Sequence, residues 1–304
     1  MMIAIVLTIA TAATPLLIAA MGELVVERSG VLNLGVEGMM VIGAIAGFAG
    51  AQLAGNAWAG VGLAIVCGAL FSLLFAFLTL TLATNQVATG LSLTLLGLGI
   101  SGMVGESFIG LPGVKLEAIA IPVLSDLPLV GTLLFGQDPI FYISIILTVC
   151  VWWFLFRSRA GLKLRAVGNS SASAHALGIN VIATRYYAVL FGGACAGLAG
   201  AHLSLVYIPQ WTENMTAGRG WIALALVVFA SWRPFRVIIG AYLFGAVTIA
   251  QFHAQALGIG VPSQLLSALP YLATIVVLVL ISANKRMTMQ NTPAALGKPF
   301  VPDR

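Results

Sequence analysis

The chain has 304 residues, 60% of them hydrophobic and 8% charged, with a formal net charge of +5 and a mean hydropathy of +1.07. Soluble domains are nearer half apolar and about a quarter charged, so an ordinary soluble enzyme or binding module is excluded. The positive balance is membrane-surface charge and gives no reason to expect nucleic acid.

Nine apolar segments follow one another: 3–21, 36–54, 57–82, 86–104, 139–156, 184–207, 220–231, 234–254 and 268–283. Most are near twenty residues, as a hydrocarbon core of about 30 Å requires of a helix. Helices satisfy their backbone groups internally in lipid, and the weak alternation of outer-membrane strands is missing. The expectation is an all-α polytopic membrane protein, a single transmembrane domain over 1–304, with about 8–10 spans. The 34 glycines favour close helix packing. Met1–Met21 lacks a basic start and is followed by further spans, so it reads as a retained helix and not a cleaved signal. Cys67, Cys150 and Cys195 lie in apolar runs, without CxxC or Cys/His spacing, and read as small buried hydrophobes.

After the first segment come Glu23, Glu27, Arg28, Asn33 and Glu37, among Gly30, Gly35 and Gly38. Charge at the edge of lipid is costly unless paired or hydrated and often marks a pathway. The plain alternative is a solvated interfacial loop. If Gly22–Gly35 is a re-entrant break, the first segment runs the other way. The fourth segment carries Asn85, Gln86, Thr89, Ser92 and Thr94, which suit either a pathway wall or interhelical hydrogen bonding. The stretch 105–138 holds Gly110, Pro112, Gly113, Pro122 and Pro128, with four acids against one lysine. It is expected outside, lying on the bilayer or on its own protein, as the landing place of an outer partner.

Residues 157–182 concentrate Arg157, Arg159, Lys163 and Arg165, which places them in the cytoplasm. Ser170–Ser173 can cap a short helix over Ala172–Leu177, which Gly178 would end. An amphipathic element there suits docking to a soluble partner; the alternative is a basic anchor that only sets topology. With this interval inside, alternation puts twelve Lys and Arg in the cytoplasm and two, Lys115 and Arg219, outside. The tail 284–304 is then cytoplasmic too.

Segment 220–231 is too short, since twelve residues cover about 18 Å. It either starts below the outer surface or extends back through Glu213–Gly220. Asn214, Thr216, Arg219 and Trp221 precede or open it, and would face a hydrated cavity in the first case. The polar, Gly-rich entries at Asn33 and Thr216 form a candidate inverted repeat, with short or broken helices flanking a transport site. Two Gly-rich helices match by chance about as easily. GxxxxGK[ST], HExxH and GxSxG do not occur, and His175, His202 and His253 are scattered, so no nucleotide, metal or catalytic site is expected and no cofactor is implied. Transport is the default. An ion-coupled secondary transporter would need a protonatable group at mid-membrane, where Glu37 comes closest.

The run from Gly22 to Met40, GELVVERSGVLNLGVEGMM, resembles the signature of ABC-importer permeases of the branched-chain amino acid, ribose and nucleoside superfamily, in its nucleoside-type branch. Asn85–Gly90, Gly161–Asn169 with Ala176–Asn180, and Asn214–Ala223 are similar to further family stretches, in the expected order. Ser171 stands where such proteins often have Pro, and Ser173 where Ala is common. The resemblance implies a multi-pass subunit of a bacterial cell membrane, paired with a second membrane subunit, expected to be a different chain, with a second copy of the same chain left open. It implies a cytoplasmic ATPase with two nucleotide-binding halves and an extracytoplasmic lipoprotein that binds nucleosides. Gly161, Leu162, Arg165, Gly168, Asn169, Ala176, Leu177, Gly178 and Ile179 are expected to meet the ATPase. Asn33, Glu37, Asn85, Thr89, Asn214, Thr216 and Arg219 are expected to line the path of the solute. Same-family sugar or amino acid import stays open at this point.

Overall fold

In a computed structural model the described residues are 2–119, 136–257, 262–282 and 291–301. They form α1 (Met2–Arg28), α2 (Val36–Ala54), α3 (Ala57–Ala76), α4 (Gln86–Gly105), α5 (Pro139–Arg157), α6 (Arg159–Asn169), α7 (Ser171–Ala176), α8 (Val181–His202), α9 (Arg219–Phe229), α10 (Pro234–Ala256), α11 (Ser263–Ser267) and α12 (Leu269–Ser282). Single π-turns extend α3 over Phe77–Thr81 and α8 over Leu203–Tyr207. Seven helices are long and apolar enough to cross a membrane, among the described residues. The protein is therefore an all-α polytopic membrane protein, and each of the nine apolar segments contains a helix among the described residues.

Several helices begin where the chain supplies a short polar acceptor. Asn56 Oδ1 accepts from the Trp58 N–H at 2.9 Å, Asn85 from Ala88 at 3.0 Å, Asp138 from Phe141 at 3.0 Å, and Asn180 from Ala183 at 2.9 Å. Each satisfies one of the otherwise orphaned first-turn donors.

The centre is α2 and α8, whose most apolar stretches are 83% and 78% buried, against 33% and 28% for α3 and α4. Glycine makes this possible. Gly43 faces the backbone of Gly197, Gly200 faces Met40 O, and Gly68 faces Gly193 and Gly197, all too close for a Cβ. In lipid, association comes from such close backbone packing and not from apolar burial.

Arg28, Arg165, Arg185 and Lys298 gather at one end. Arg28 donates to Trp232 O at 2.8 Å and to Asn291 O at 3.1 Å. Arg28 and Arg165 both lie over the Phe156 ring, at 5.9 and 5.1 Å. The opposite end carries the start of the 105–138 stretch, folded onto its own protein: Leu116 N–H donates to Leu205 O at 3.0 Å, and the Gln52 amide donates to Pro112 O. Residues 120–135, including Pro122 and Pro128, lie outside the described residues, as do Lys285 and Arg286.

Candidate functional site

The two Gly-rich entries meet. α1 does not stop at Met21 but runs on to Arg28, and residues 29–35 then return into the bundle without helical structure. Gly30 turns the chain at φ +89°, a conformation that costs glycine nothing. The Leu32 N–H donates to Gln86 Oε1 at 2.8 Å, which fixes the returning segment to the start of α4. Asn33 is fully buried. Its N–H donates to Glu23 Oε1 at 3.3 Å, and its Oδ1 accepts from the Gly35 N–H at 3.0 Å, one residue before α2.

From the other direction, residues 214–218 coil into the start of α9, which is eleven residues long. At 1.5 Å per residue it covers about 16 Å, half a hydrocarbon core. Of the two readings of this short segment, the second is excluded: residues 214–218 are turns, and the helix does not extend back through Glu213–Gly220 but begins at Arg219. It begins inside the bundle, against the start of α2.

The junction is a single buried carboxylate. Glu37 Oε1 accepts from Thr216 Oγ1 at 2.6 Å and from the Gly218 N–H at 2.8 Å, and Oε2 accepts from the Gly220 N–H at 2.6 Å. Gly218 is the N-cap residue of α9 and Gly220 lies in its first turn, where N–H groups lack helical partners and the helix dipole favours a negative charge. Gly220 must lack a side chain, because a Cβ there would lie 2.6 Å from the Glu37 backbone. A carboxylate on α2 thus caps α9.

The far end of α9 is held by a second carboxylate. Glu27 Oε2 accepts from Trp232 Nε1 at 2.5 Å, and both residues are buried. Four non-glycine residues around α9 have left-handed backbone: Asn214, Ala217, Ser231 and Trp232.

The residues expected along a solute path divide into two sets. Asn33, Glu37 and Thr216 are buried in this chain and bonded within it. Asn85 and Asn214 are exposed, and Thr89 and Arg219 half-exposed. Asn85 caps α4, Thr89 shares a hydrogen bond with Thr84 at 2.9 Å, and Arg219 Nη1 donates to Met215 O and Thr216 O. The Arg219 guanidinium also lies 5.4 Å from the centre of the Tyr207 ring. It opens onto a cavity of about 290 Å³ lined by Tyr207, Thr248, Gln251, Ser267 and Tyr271 as well. The sequence reading did not single out those five. The spacing of Thr248 and Gln251, one helical turn apart on an otherwise apolar helix, was the available signal.

At the basic end the interval 157–182 is two helices. The sequence reading expected one, over Ala172–Leu177. α7 is that helix, displaced to Ser171–Ala176, with Ser170 Oγ accepting from the Ser173 N–H at 3.3 Å and Gly178 ending it at φ +79°. α6, over Arg159–Asn169, was not anticipated; Ser158 Oγ caps it through the Gly161 N–H at 2.9 Å. Gly161 and Gly168 are buried where a Cβ would strike Phe154 O and Arg28 O. Leu162, Asn169, Ala176, Leu177 and Gly178 are exposed, with Leu177 at 81%, while Arg165 and Ile179 are half-buried. Behind them Arg185, 1% exposed, donates to Ser29 O (3.2 Å), Ser171 Oγ (2.9 Å) and Lys298 O (3.2 Å). One guanidinium joins the α1–α2 break, α7 and the C-terminal segment.

A family model described as the branched-chain amino acid transport system permease component matches residues 5–282. A putative glucose ABC transporter permease of Haloferax volcanii is 44% identical over 290 residues, covering 88% of each chain. A nucleoside ABC transporter permease of Lactococcus lactis is 33% identical over 283 residues, again 88% of each. A guanosine ABC transporter permease of Bacillus subtilis is 32% identical over 308 residues, 95% of this chain and 93% of the other.

Proposed function

The chain belongs to the branched-chain amino acid transport system permease family, and on that membership we propose that it is the membrane subunit of an importer that passes nucleosides delivered by an extracytoplasmic binding protein. ATP hydrolysis falls to a separate cytoplasmic ATPase, and a second, different permease chain completes the membrane unit. The basic end is the cytoplasmic one in a cell membrane, since positive charge near span ends stays inside. There α6, α7 and the exposed Leu162, Ala176 and Leu177 receive the ATPase.

The observation that carries a transport reading is the Glu37 junction, where the short α9 starts against the start of the full-length α2, in the bundle and not in solvent. Short or broken helices of this kind flank the transport site in membrane transporters. In this reading Asn33, Glu37 and Thr216 set the starts of α2 and α9, and Asn85, Thr89, Asn214 and Arg219 meet the solute on its way. The nucleoside choice is supported by the two relatives named for nucleoside and guanosine. It also suits a cavity offering two phenol rings, a guanidinium and an amide, groups that stack on and hydrogen-bond a planar base.

A sugar is the second reading, favoured by the 44% identical relative named for glucose. Reconstitution in liposomes with the ATPase, the second permease chain and the binding protein separates the two. ATP-driven uptake of labelled guanosine, undiminished by excess glucose, is the expected result; uptake of glucose alone would replace the nucleoside by a sugar. Uptake driven by an ion gradient without the ATPase would remove the importer reading altogether.

A further inference from the structure

The C-terminal segment 291–301 is held across the basic end by four elements at once. The Ala295 N–H donates to Gly168 O at 2.9 Å, at the end of α6. The Gly297 N–H donates to Gly30 O at 3.1 Å, at the turn of the α1–α2 break. Lys298 O accepts from Arg185 on α8, and Asn291 O accepts from Arg28 on α1. The segment then delivers Phe300 to α7, where its ring packs edge-on against His175 with centres 5.5 Å apart. Phe300 also rests on a small apolar cluster of Val167, Ala174 and Val181, apart from the main core.

A surface depression of about 380 Å³ lies between His175, Ile179, Val181, Ile182 and Phe300. It is continuous with the exposed end of α7, Ala176–Gly178. Leu177, the most exposed of the apolar residues nearby, adjoins it in sequence. Lys163 on α6 gives the same end of the molecule an exposed positive charge, with Arg165 half-buried beside it.

We propose that residues 291–301 are part of the surface that receives the ATPase, with Phe300 and His175 forming one wall of a pocket for an apolar side chain of that subunit, flanked on the ATPase by acidic groups. The proposal rests on the docking role given above to α6 and α7, and adds a third component to it. The same segment is bonded to Gly30, within the 29–35 segment that leads to Glu37. Movement of the ATPase against Phe300 is therefore passed to the α1–α2 break through the Gly297–Gly30 and Arg185–Ser29 hydrogen bonds, and not through α7 alone.

The test uses the assembled complex in proteoliposomes, in a background in which Cys67, Cys150 and Cys195 are replaced by Ala. Phe300→Cys and Ala176→Cys are each paired with a thiol cross-linker of short reach, and the adduct to the ATPase is read on a gel in the apo and ATP-bound states. Both positions are expected to give the adduct, with the yield at 300 changing between states. Phe300→Asp is expected to lower substrate-stimulated ATP hydrolysis at least fivefold. An adduct from position 176 but none from 300 in either state, with stimulated hydrolysis in Phe300→Asp unchanged, overturns the role of the segment while the docking role of α7 stands. No adduct from either position overturns both.

Discussion

The two glycine-rich helix starts that meet at Glu37 are built in opposite ways. α2 is entered by a segment whose one left-handed residue is Gly30, closed by the Asn33 side chain, and packed on all sides from Val36 to Ile45. α9 is entered and left through Asn214, Ala217, Ser231 and Trp232, with φ of 55°, 46°, 50° and 55°. Left-handed backbone costs a side-chain-bearing residue about 1–2 kcal/mol, and it persists only where surroundings hold it. Here the holding groups are two carboxylates from the other half of the molecule, Glu37 at the front of α9 and Glu27 at the back. The lesson is that α2 is a fixed span and α9 a loaded half-helix. If α9 is what moves during transport, releasing either carboxylate should matter more than loosening α2.

The sharpest way to break that comparison is Glu37→Ala. It leaves the Thr216 hydroxyl and the Gly218 and Gly220 amides without their buried acceptor. Each orphaned group costs about 1–3 kcal/mol, so a loss of about 3–5 kcal/mol is expected, measured by denaturation in micelles, together with loss of uptake. Glu37→Gln keeps one acceptor oxygen and should fall between the variant and the parent. Next in size is Trp232→Phe, which replaces the buried indole by a smaller aromatic ring and removes the one N–H bonded to Glu27 Oε2. Leaving a buried acceptor unpaired costs about 1–3 kcal/mol; the expected loss is about 2 kcal/mol, with α9 freed at its far end. Limited proteolysis or cysteine labelling at Ser231 should report that release. Asn33→Ala is expected to cost only about 1 kcal/mol, as for other helix-entry acceptors, and to leave labelling at Ser231 unchanged.

Much of this was legible in the sequence, and what was not has a physical reason. The spans were readable because lipid demands long apolar runs, and eleven-residue α9 stood out because it fell short of that demand. Glu37 and Thr216 were both singled out as polar groups at glycine-rich starts. That they bond to each other across 179 positions is a tertiary fact with no local signal. α6 was missed because its cationic, glycine-containing sequence reads as a loop until Ser158 caps it and Leu164 and Val167 find a core to bury against. Arg185 was counted only as one positive charge of twelve at the cytoplasmic side. Three backbone and side-chain acceptors from distant parts of the chain turn it into the joint of the basic end.

The smallest expected effect sharpens the comparison most, because it has the opposite sign. Ala217 sits at φ 46° on the approach to α9, its carbonyl bonded to Tyr271 and its side chain exposed. Glycine adopts that backbone without steric cost, so Ala217→Gly removes about 1–2 kcal/mol of strain from the folded chain. It also gives the unfolded chain more freedom, which takes back about 0.4–1 kcal/mol. The balance is a gain of a few tenths to about 1 kcal/mol in stability, with the hydrogen bonds to Glu37 untouched. If α9 carries its strain to no purpose, uptake should be unchanged in this variant. If the strain is what lets α9 leave its resting place, the more stable protein should transport more slowly. The corresponding relief cannot be applied to α2, whose left-handed position is already Gly30. A variant that gains stability and retains full uptake would therefore show that α9 and α2 differ in construction but not in role.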